Sequence, residues 1–224
     1  MEFDTQKKFL KDLNSIFEKC KTVKDLKALI KDDSEIKNKL DALGVDEKKE
    51  LLDIYKNSSL YTKLINTVVI PYLLHVDQCE TSNEYYRIDV VGYKDRDMEK
   101  QDLLNEGKRL GLTPYCWGFN YAIEHENAHG KWVDEAIKLA YINCQNRIVI
   151  GYNRKLHKGE SLELYEKECL KYMINCIEKS SVLKNKDGYL TLFFGERNDK
   201  KEWEEIRYNG YVVDYNIGKI YPLQ

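Results

Sequence analysis

The first 57 residues carry apolar side chains at helical spacing and almost no strand signal. Phe9, Leu13, Ile16 and Cys20 recur at intervals of three and four residues, which places them on one face of a helix. The spacing continues in shorter stretches up to Tyr55, and charged residues fill the outer faces. We expect those charged faces to be solvated, and we predict a helical N-terminal module over residues 1–57.

The pattern changes after residue 57, and residues 58–224 are predicted to form a second, α/β domain. A long helix is expected from Ser59 to His75, with a bend at Pro71. Strands are predicted at 85–93, 117–127, 147–152 and 189–194, and later helices at 132–144 and 161–179. Asn209-Gly210 is the strongest short turn signal in the chain and predicts a hairpin there.

The order of these elements predicts the fold class. Strands that alternate with helices are typical of an α/β fold, and a hairpin adds antiparallel pairing to the sheet. We therefore expect a mixed central sheet flanked by helices, preceded by the N-terminal helical module.

Composition narrows the class of protein further. The chain has 36 basic and 38 acidic residues, a formal net charge of −2. Proteins that bind nucleic acid mainly through its phosphates usually carry an excess of basic residues, so this charge does not favour such a protein. No apolar run reaches the roughly 18–20 residues that span a bilayer. Six cysteines without a CxxC pair suggest reduced thiols rather than a zinc site. The expected compartment is the cytoplasm.

Acidic residues placed among apolar strand positions are the chemical signal of this sequence. Glu124 and Glu126 alternate with Ile123 and His125, so both glutamates are expected on one strand face and His125 on the other, against the helices. Burying like charges together is costly unless a cation compensates, and Mg²⁺ prefers such oxygen ligands. Asp89 is embedded between β-branched residues of another strand. If the strands are neighbours, Asp89 and Glu124 can share one ion.

This arrangement resembles the core of the PD-(D/E)XK nucleases over roughly residues 59–155. Asp89 stands on one strand, and Glu124-His125-Glu126 on the next, followed by the helix from Trp132 and a further strand. The family places one acid on a strand and an acid-x-lysine pair on the next. The resemblance implies a metal-dependent endonuclease, with Mg²⁺ or Mn²⁺ as cofactor, nucleic acid (DNA in the first instance) as partner, and Asp89 and Glu124 as metal ligands.

The sequence departs from the family pattern in two ways. Glu126 occupies the position of the usual lysine, as in a minority of similar nucleases, so Glu126 is a candidate base and Lys138 on the following helix a candidate replacement for the lysine. The strand that normally precedes the one bearing Asp89 is not evident between Val76 and Asn83. Glu84 lies where similar families place an auxiliary acid, and is a candidate metal ligand.

Each of these candidate residues could instead have a purely structural role. Glu124 and Glu126 also fit a half-solvated strand face paired with lysines. Asp89 also fits a salt bridge to Arg87 or a turn cap, and Glu135 and Lys138 a surface ion pair. The missing lysine and the acidic net charge favour an alternative function, a catalytically inactive nuclease fold that serves as a binding, regulatory or immunity module.

The most basic local run is a candidate nucleic-acid contact. It follows the strand 147–152 and contains Arg154, Lys155 and Lys158. Loops rich in lysine and arginine are also common on protein surfaces that bind no nucleic acid. No nucleotide-binding glycine motif, HExxH or GxSxG competes as a catalytic signature. The sequence does not distinguish a monomer from a homodimer.

Overall fold

The structure is a computed structural model that describes residues 3–85, 87–94, 105, 109–111, 118–128, 130–153, 162–179, 189–196 and 205–223. Its centre is a seven-stranded sheet in which strand order follows chain order. The strands are β1 (Glu80–Tyr85), β2 (Ile88–Lys94), β3 (Gly118–His125), β4 (Asn146–Asn153), β5 (Tyr189–Glu196), β6 (Tyr208–Asp214) and β7 (Lys219–Leu223).

The sheet is mixed, as the alternation of elements predicted. β3, β4 and β5 run parallel to one another, and every other neighbouring pair is antiparallel. The helices are α1 (Asp4–Lys19), α2 (Val23–Leu29), α3 (Ser34–Ala42), α4 (Leu51–Lys56), α5 (Ser58–Leu64), α6 (Ile70–Val76), α7 (Trp132–Ala140) and α8 (Leu162–Glu178). None of the helices in the described part of the chain has the length and apolar character needed to cross a bilayer.

The two faces of the sheet carry separate apolar cores. Helices α1–α6 and strand residues such as Ile123 and Ile148 form one core, whereas α7 and α8 pack on Ala122 and Val149 on the opposite face. Side chains on successive strand residues point to opposite faces, which explains this division. The boundary predicted at residue 57 lies within the first core. The division into segments 1–57 and 58–224 stays a prediction.

The prediction of a hairpin at Asn209-Gly210 is wrong. Both residues lie inside β6, and the reversal occurs at residues 215–218, between β6 and β7. Asp214 favours that turn because its Oδ1 accepts hydrogen bonds from the backbone N–H groups of Asn216 and Ile217, and Gly218 adopts a positive φ of 64°.

Gly210 serves close packing instead of a turn. A Cβ at this position would lie 2.6 Å from Leu10 Cδ2, so any larger residue would require the Leu10 side chain on α1 to move.

The strand that is not evident from the sequence between Val76 and Asn83 is β1. It consists of Glu80–Tyr85 and pairs with β2 at the edge of the sheet. Its residues are almost all polar, so they show no alternation of apolar and polar side chains. Backbone pairing with β2 therefore defines this strand, and the hydrophobic pattern does not.

The long helix predicted at 59–75 is present, but it is interrupted before Pro71. Residues Ile65–Val69 form a π-helical segment between α5 and α6, in which the N–H of Ile70 bonds to the carbonyl of Ile65. Proline lacks the N–H that would bond to the carbonyl of Thr67, and its ring crowds that carbonyl. The wider π turn accommodates both effects.

Asn14 on α1 extends the hydrogen bonding of the sheet. Its Nδ2 donates to the carbonyl of Tyr208 (3.0 Å), and its Oδ1 accepts the N–H of the same residue (2.8 Å). We expect Asn14→Ala to lower the free energy of unfolding by roughly 1–3 kcal/mol, because two backbone groups lose a buried partner. Urea unfolding of Asn14→Ala against Asn38→Ala, a change on the exposed face of α3, measures this effect. Equal stability of the two variants would contradict it.

Candidate active site

The site begins where β2 and β3 lie side by side. Val90 pairs with Ile123 in an antiparallel register, so one step further along the pair Asp89 lies across from Glu124. The side chain of Glu124 lies on the α7 face, as does that of Ala122, and it contacts Lys138 on α7. The expectation that the two strands are neighbours is confirmed.

Glu124 is a buried carboxyl, with 2% of its surface exposed. This burial rules out the half-solvated strand face as an explanation for Glu124. Burial raises the pKa of Glu124 to about 8, and the negative charges of Asp89 and Glu135 add to the rise, whereas Lys138 opposes it. The carboxyl therefore changes its charge near neutral pH.

Asp89 is held by backbone and side-chain donors. Its Oδ2 accepts the backbone N–H of His125 at 2.8 Å, and it makes no ion pair with Arg87, whose side chain is exposed. Burial raises the pKa of the Asp89 carboxyl above its usual value; the N–H of His125 and the side-chain amide of Asn66 lower it. The salt bridge to Arg87 is therefore wrong as an explanation for Asp89.

Lys138 brings a positive charge to the two acids from α7. Its Nζ lies 2.7 Å from Oε1 of Glu124, donates to the carbonyl of Arg87 at 2.9 Å, and contacts Glu135 one helical turn earlier. Burial alone would lower the pKa of Lys138, but its contacts with Glu124 and Glu135 outweigh burial and raise it. The helical ion pair with Glu135 is present, and so is the contact with the acid across the sheet.

The other two predicted acids are Glu126, which directly follows β3, and Glu84, which lies in β1. β3 ends at His125, one residue before Glu126, whose N–H still bonds to the carbonyl of Ile150 on β4 and whose Oε1 accepts the N–H of Ala128 at 2.5 Å. The expectation that Glu126 shares a strand face with Glu124 stays a prediction. Glu84 is exposed on β1, and its charge acts on Asp89 by raising the pKa of that carboxyl.

The predicted nucleic-acid contacts Arg154, Lys155 and Lys158 lie outside the described residues. Their role stays a prediction.

His125 faces away from the acids, as predicted, and is buried among aromatic rings. Its Nε2 lies 2.5 Å from the hydroxyl of Tyr152, and that hydroxyl is 3.4 Å from the hydroxyl of Tyr208. Tyr208 in turn contacts Tyr61 at 2.5 Å between hydroxyl oxygens. Because the N–H of His125 holds Asp89 while its ring is fixed on the face away from Glu124, this network positions the end of β3.

Sequence reasoning missed one buried polar residue beside the site. Asn66 is 8% exposed, lies in the π-helical segment, and its side-chain amide interacts with Asp89. The available signal was a single amide within the apolar run from Leu64 to Leu74. The run itself does not show which face of the helix the amide occupies.

Asp89 and Glu124 are the carboxyl groups that this site offers to a divalent cation. No group of three or more His, Cys, Asp and Glu side chains within the described ranges is arranged to hold a metal ion. The two carboxylates Asp89 and Glu124 nevertheless match what Mg²⁺ commonly takes from a protein, since waters complete its six positions. The carboxylates carry two negative charges when ionised and Lys138 supplies one positive charge, so a cation suits the site electrostatically.

Comparison with protein-family models, curated proteins and solved structures gives no match for this chain. The geometry of the site therefore carries the functional argument.

Proposed function

We propose that this protein is a metal-dependent nuclease that hydrolyses phosphodiester bonds. The observation that carries the proposal is the buried carboxyl of Glu124, which lies across from Asp89 and 2.7 Å from Lys138. Two acids on neighbouring strands and a lysine on the following helix match the chemical groups of the PD-(D/E)XK core. Lys138 on α7 takes the place of the lysine that the motif lacks at Glu126.

The electrostatics of the site support this assignment. Keeping an ionised carboxylate buried costs several kcal/mol unless opposite charge compensates, and one lysine compensates one acid. A site of this kind favours a divalent cation, held by Asp89 and Glu124. When bound, the cation supplies Lewis-acid stabilisation of phosphate oxygens and activates water.

The protein's own side chains orient the two acids and stabilise charge on the substrate. Asp89 is kept oriented by the N–H of His125, and Glu124 by Lys138. The ammonium of Lys138, partly exposed on the α7 face, is the group that stabilises negative charge on the phosphate. Glu126, at the end of β3, stays a second candidate for orienting water.

Cleavage assays test this proposal. Plasmid DNA, single-stranded oligonucleotides and RNA are incubated with the protein and Mg²⁺ or Mn²⁺, in parallel with Glu124→Gln and with an EDTA control. We expect cleavage by the wild type that depends on the cation and is absent in Glu124→Gln, because the amide cannot replace an anionic oxygen ligand. Glu35→Gln, a change at an exposed carboxyl on α3, serves as the matched control and keeps full activity.

Two outcomes would contradict the proposal. Cleavage that persists in Glu124→Gln identifies a contaminating nuclease. Nucleic-acid binding without cleavage under any cation supports the alternative, a nuclease fold that has kept only a binding or regulatory role. The nucleic acid that is cleaved also decides between DNA and RNA as the substrate.

A further inference from the structure

The helix that crosses the site is irregular beside Asp89. Its regular α pattern changes to a π-helical segment over Ile65–Val69 and returns at Ile70. Segments of this kind are rare and usually occur as single turns, often at functional sites, because the extra residue turns side chains toward directions that a regular helix does not offer. Asn66 is the polar residue that this segment turns inward.

Asn66 is tied to the site through three elements. Its side-chain amide interacts with the carboxylate of Asp89 on β2. Its backbone carbonyl accepts a hydrogen bond of 2.7 Å from Nδ2 of Asn83 on β1. The position of Asn66 is therefore fixed by the helix and by the two strands beside it.

The side-chain oxygen of Asn66, unlike its backbone carbonyl and its amide nitrogen, is left without a hydrogen bond in the part of the chain that the structure describes. Asn66 Oδ1 is buried and has no hydrogen-bond partner among the described residues. A buried carbonyl oxygen without a partner costs roughly 1–3 kcal/mol. Hydrophobic residues occupy most of the neighbouring helix positions, so a leucine here would avoid this cost.

We propose that Asn66 is a third residue of the acidic site and that its Oδ1 is an oxygen ligand of the divalent cation held by Asp89 and Glu124. The inference rests on the proposed function, since it adds a ligand to the same site. Amide carbonyl oxygens are common ligands of hard cations, and a bound cation would satisfy the oxygen that the protein leaves unbonded. The helical layer before the sheet then contributes directly to the site.

Binding of Mn²⁺ alone, without nucleic acid, tests the inference by titration calorimetry and by electron paramagnetic resonance. We expect Asn66→Ala to weaken the affinity for Mn²⁺ by roughly tenfold or more, and Asn66→Asp, of the same shape but charged, to bind at least as tightly as the wild type. Thr67→Ala, in the same π-helical segment, is the matched control and is expected to bind like the wild type. Circular dichroism verifies that each variant is folded.

The outcomes separate the inference from the function on which it rests. If Asp89→Asn loses Mn²⁺ binding while Asn66→Ala keeps wild-type affinity, the inference fails and the metal site stands. If the wild type binds no Mn²⁺, or Asp89→Asn binds it equally well, the metal site and the inference both fail. An equal loss of affinity in Thr67→Ala and Asn66→Ala would assign the effect to the helix and overturn the role of Asn66. Should Asn66→Ala not fold, the isosteric Asn66→Asp decides: weaker binding than the wild type overturns the inference.

Discussion

Replacing Lys138 with methionine is expected to lower the rate of cation-dependent cleavage by roughly 100- to 1000-fold, which is the effect of removing one preorganised charge that stabilises a transition state. Methionine keeps the unbranched side chain of Lys138 and its helix propensity, and it removes the ammonium that lies 2.7 Å from Glu124. The measurement is the single-turnover cleavage rate at saturating Mg²⁺.

The control for this prediction is Lys131→Met, since Lys131 is exposed immediately before α7. We expect it to cleave at the wild-type rate. Lys138→Arg should retain part of the activity, because it keeps the charge but not the geometry of a single ammonium. Wild-type rates in Lys138→Met would exclude a catalytic role for this lysine, and Glu126→Gln would then be the next variant to measure.

Glu124 is expected to make the protein less stable as the pH rises from about 5 to about 8 in the absence of divalent cations. Its pKa rises from 4.5, the ordinary value, to about 8 in the folded protein, mainly through burial. Between these values the folded chain binds a proton that the unfolded chain has released, so the free energy of unfolding decreases with pH. The total decrease is on the order of 3–5 kcal/mol, at about 1.4 kcal/mol for each unit of pKa.

Glu124→Gln removes this titration because glutamine is neutral at every pH. Urea unfolding at several pH values in EDTA should give a steep decrease for the wild type and a flatter curve for Glu124→Gln, with the variant more stable at pH 8. Asp89, whose pKa is also raised, contributes a remaining slope of the same sign. Glu35→Gln, at the surface, should follow the wild type. Parallel curves for wild type and Glu124→Gln would show that Glu124 is already ionised when folded at pH 5.

The acidic pair was predictable from the sequence because strand alternation is a local property. Ile123, Glu124 and His125 alternate faces wherever the strand is placed, and a carboxyl between apolar strand residues indicates burial. The same rule predicted that His125 would point away from the acids. For Glu126 the rule still gives only a prediction, because β3 ends at His125.

The errors in the fold come from contacts between distant segments. Asn209-Gly210 has the composition of a turn, but Gly210 lies inside β6 in close contact with Leu10, about 200 positions earlier in the chain. β1 lacks a hydrophobic pattern because it is a polar edge strand defined by pairing with β2. Neither fact is present in the local sequence of the segment concerned.

The amino-acid sequence by itself determined the class of fold, the two strands that carry Asp89 and Glu124, and the burial expected of their carboxyls, since periodicity acts over a few residues. The tertiary structure decided which further groups reach those carboxyls. Asn66 comes from the helical segment before the two strands, and Lys138 from the helix after them. A helical pattern shows which face of a helix is apolar, but not where that face docks. Docking depends on packing across the whole sheet, so the sequence offered Lys138 as a candidate and did not single out Asn66, and the folded chain placed both beside the acids.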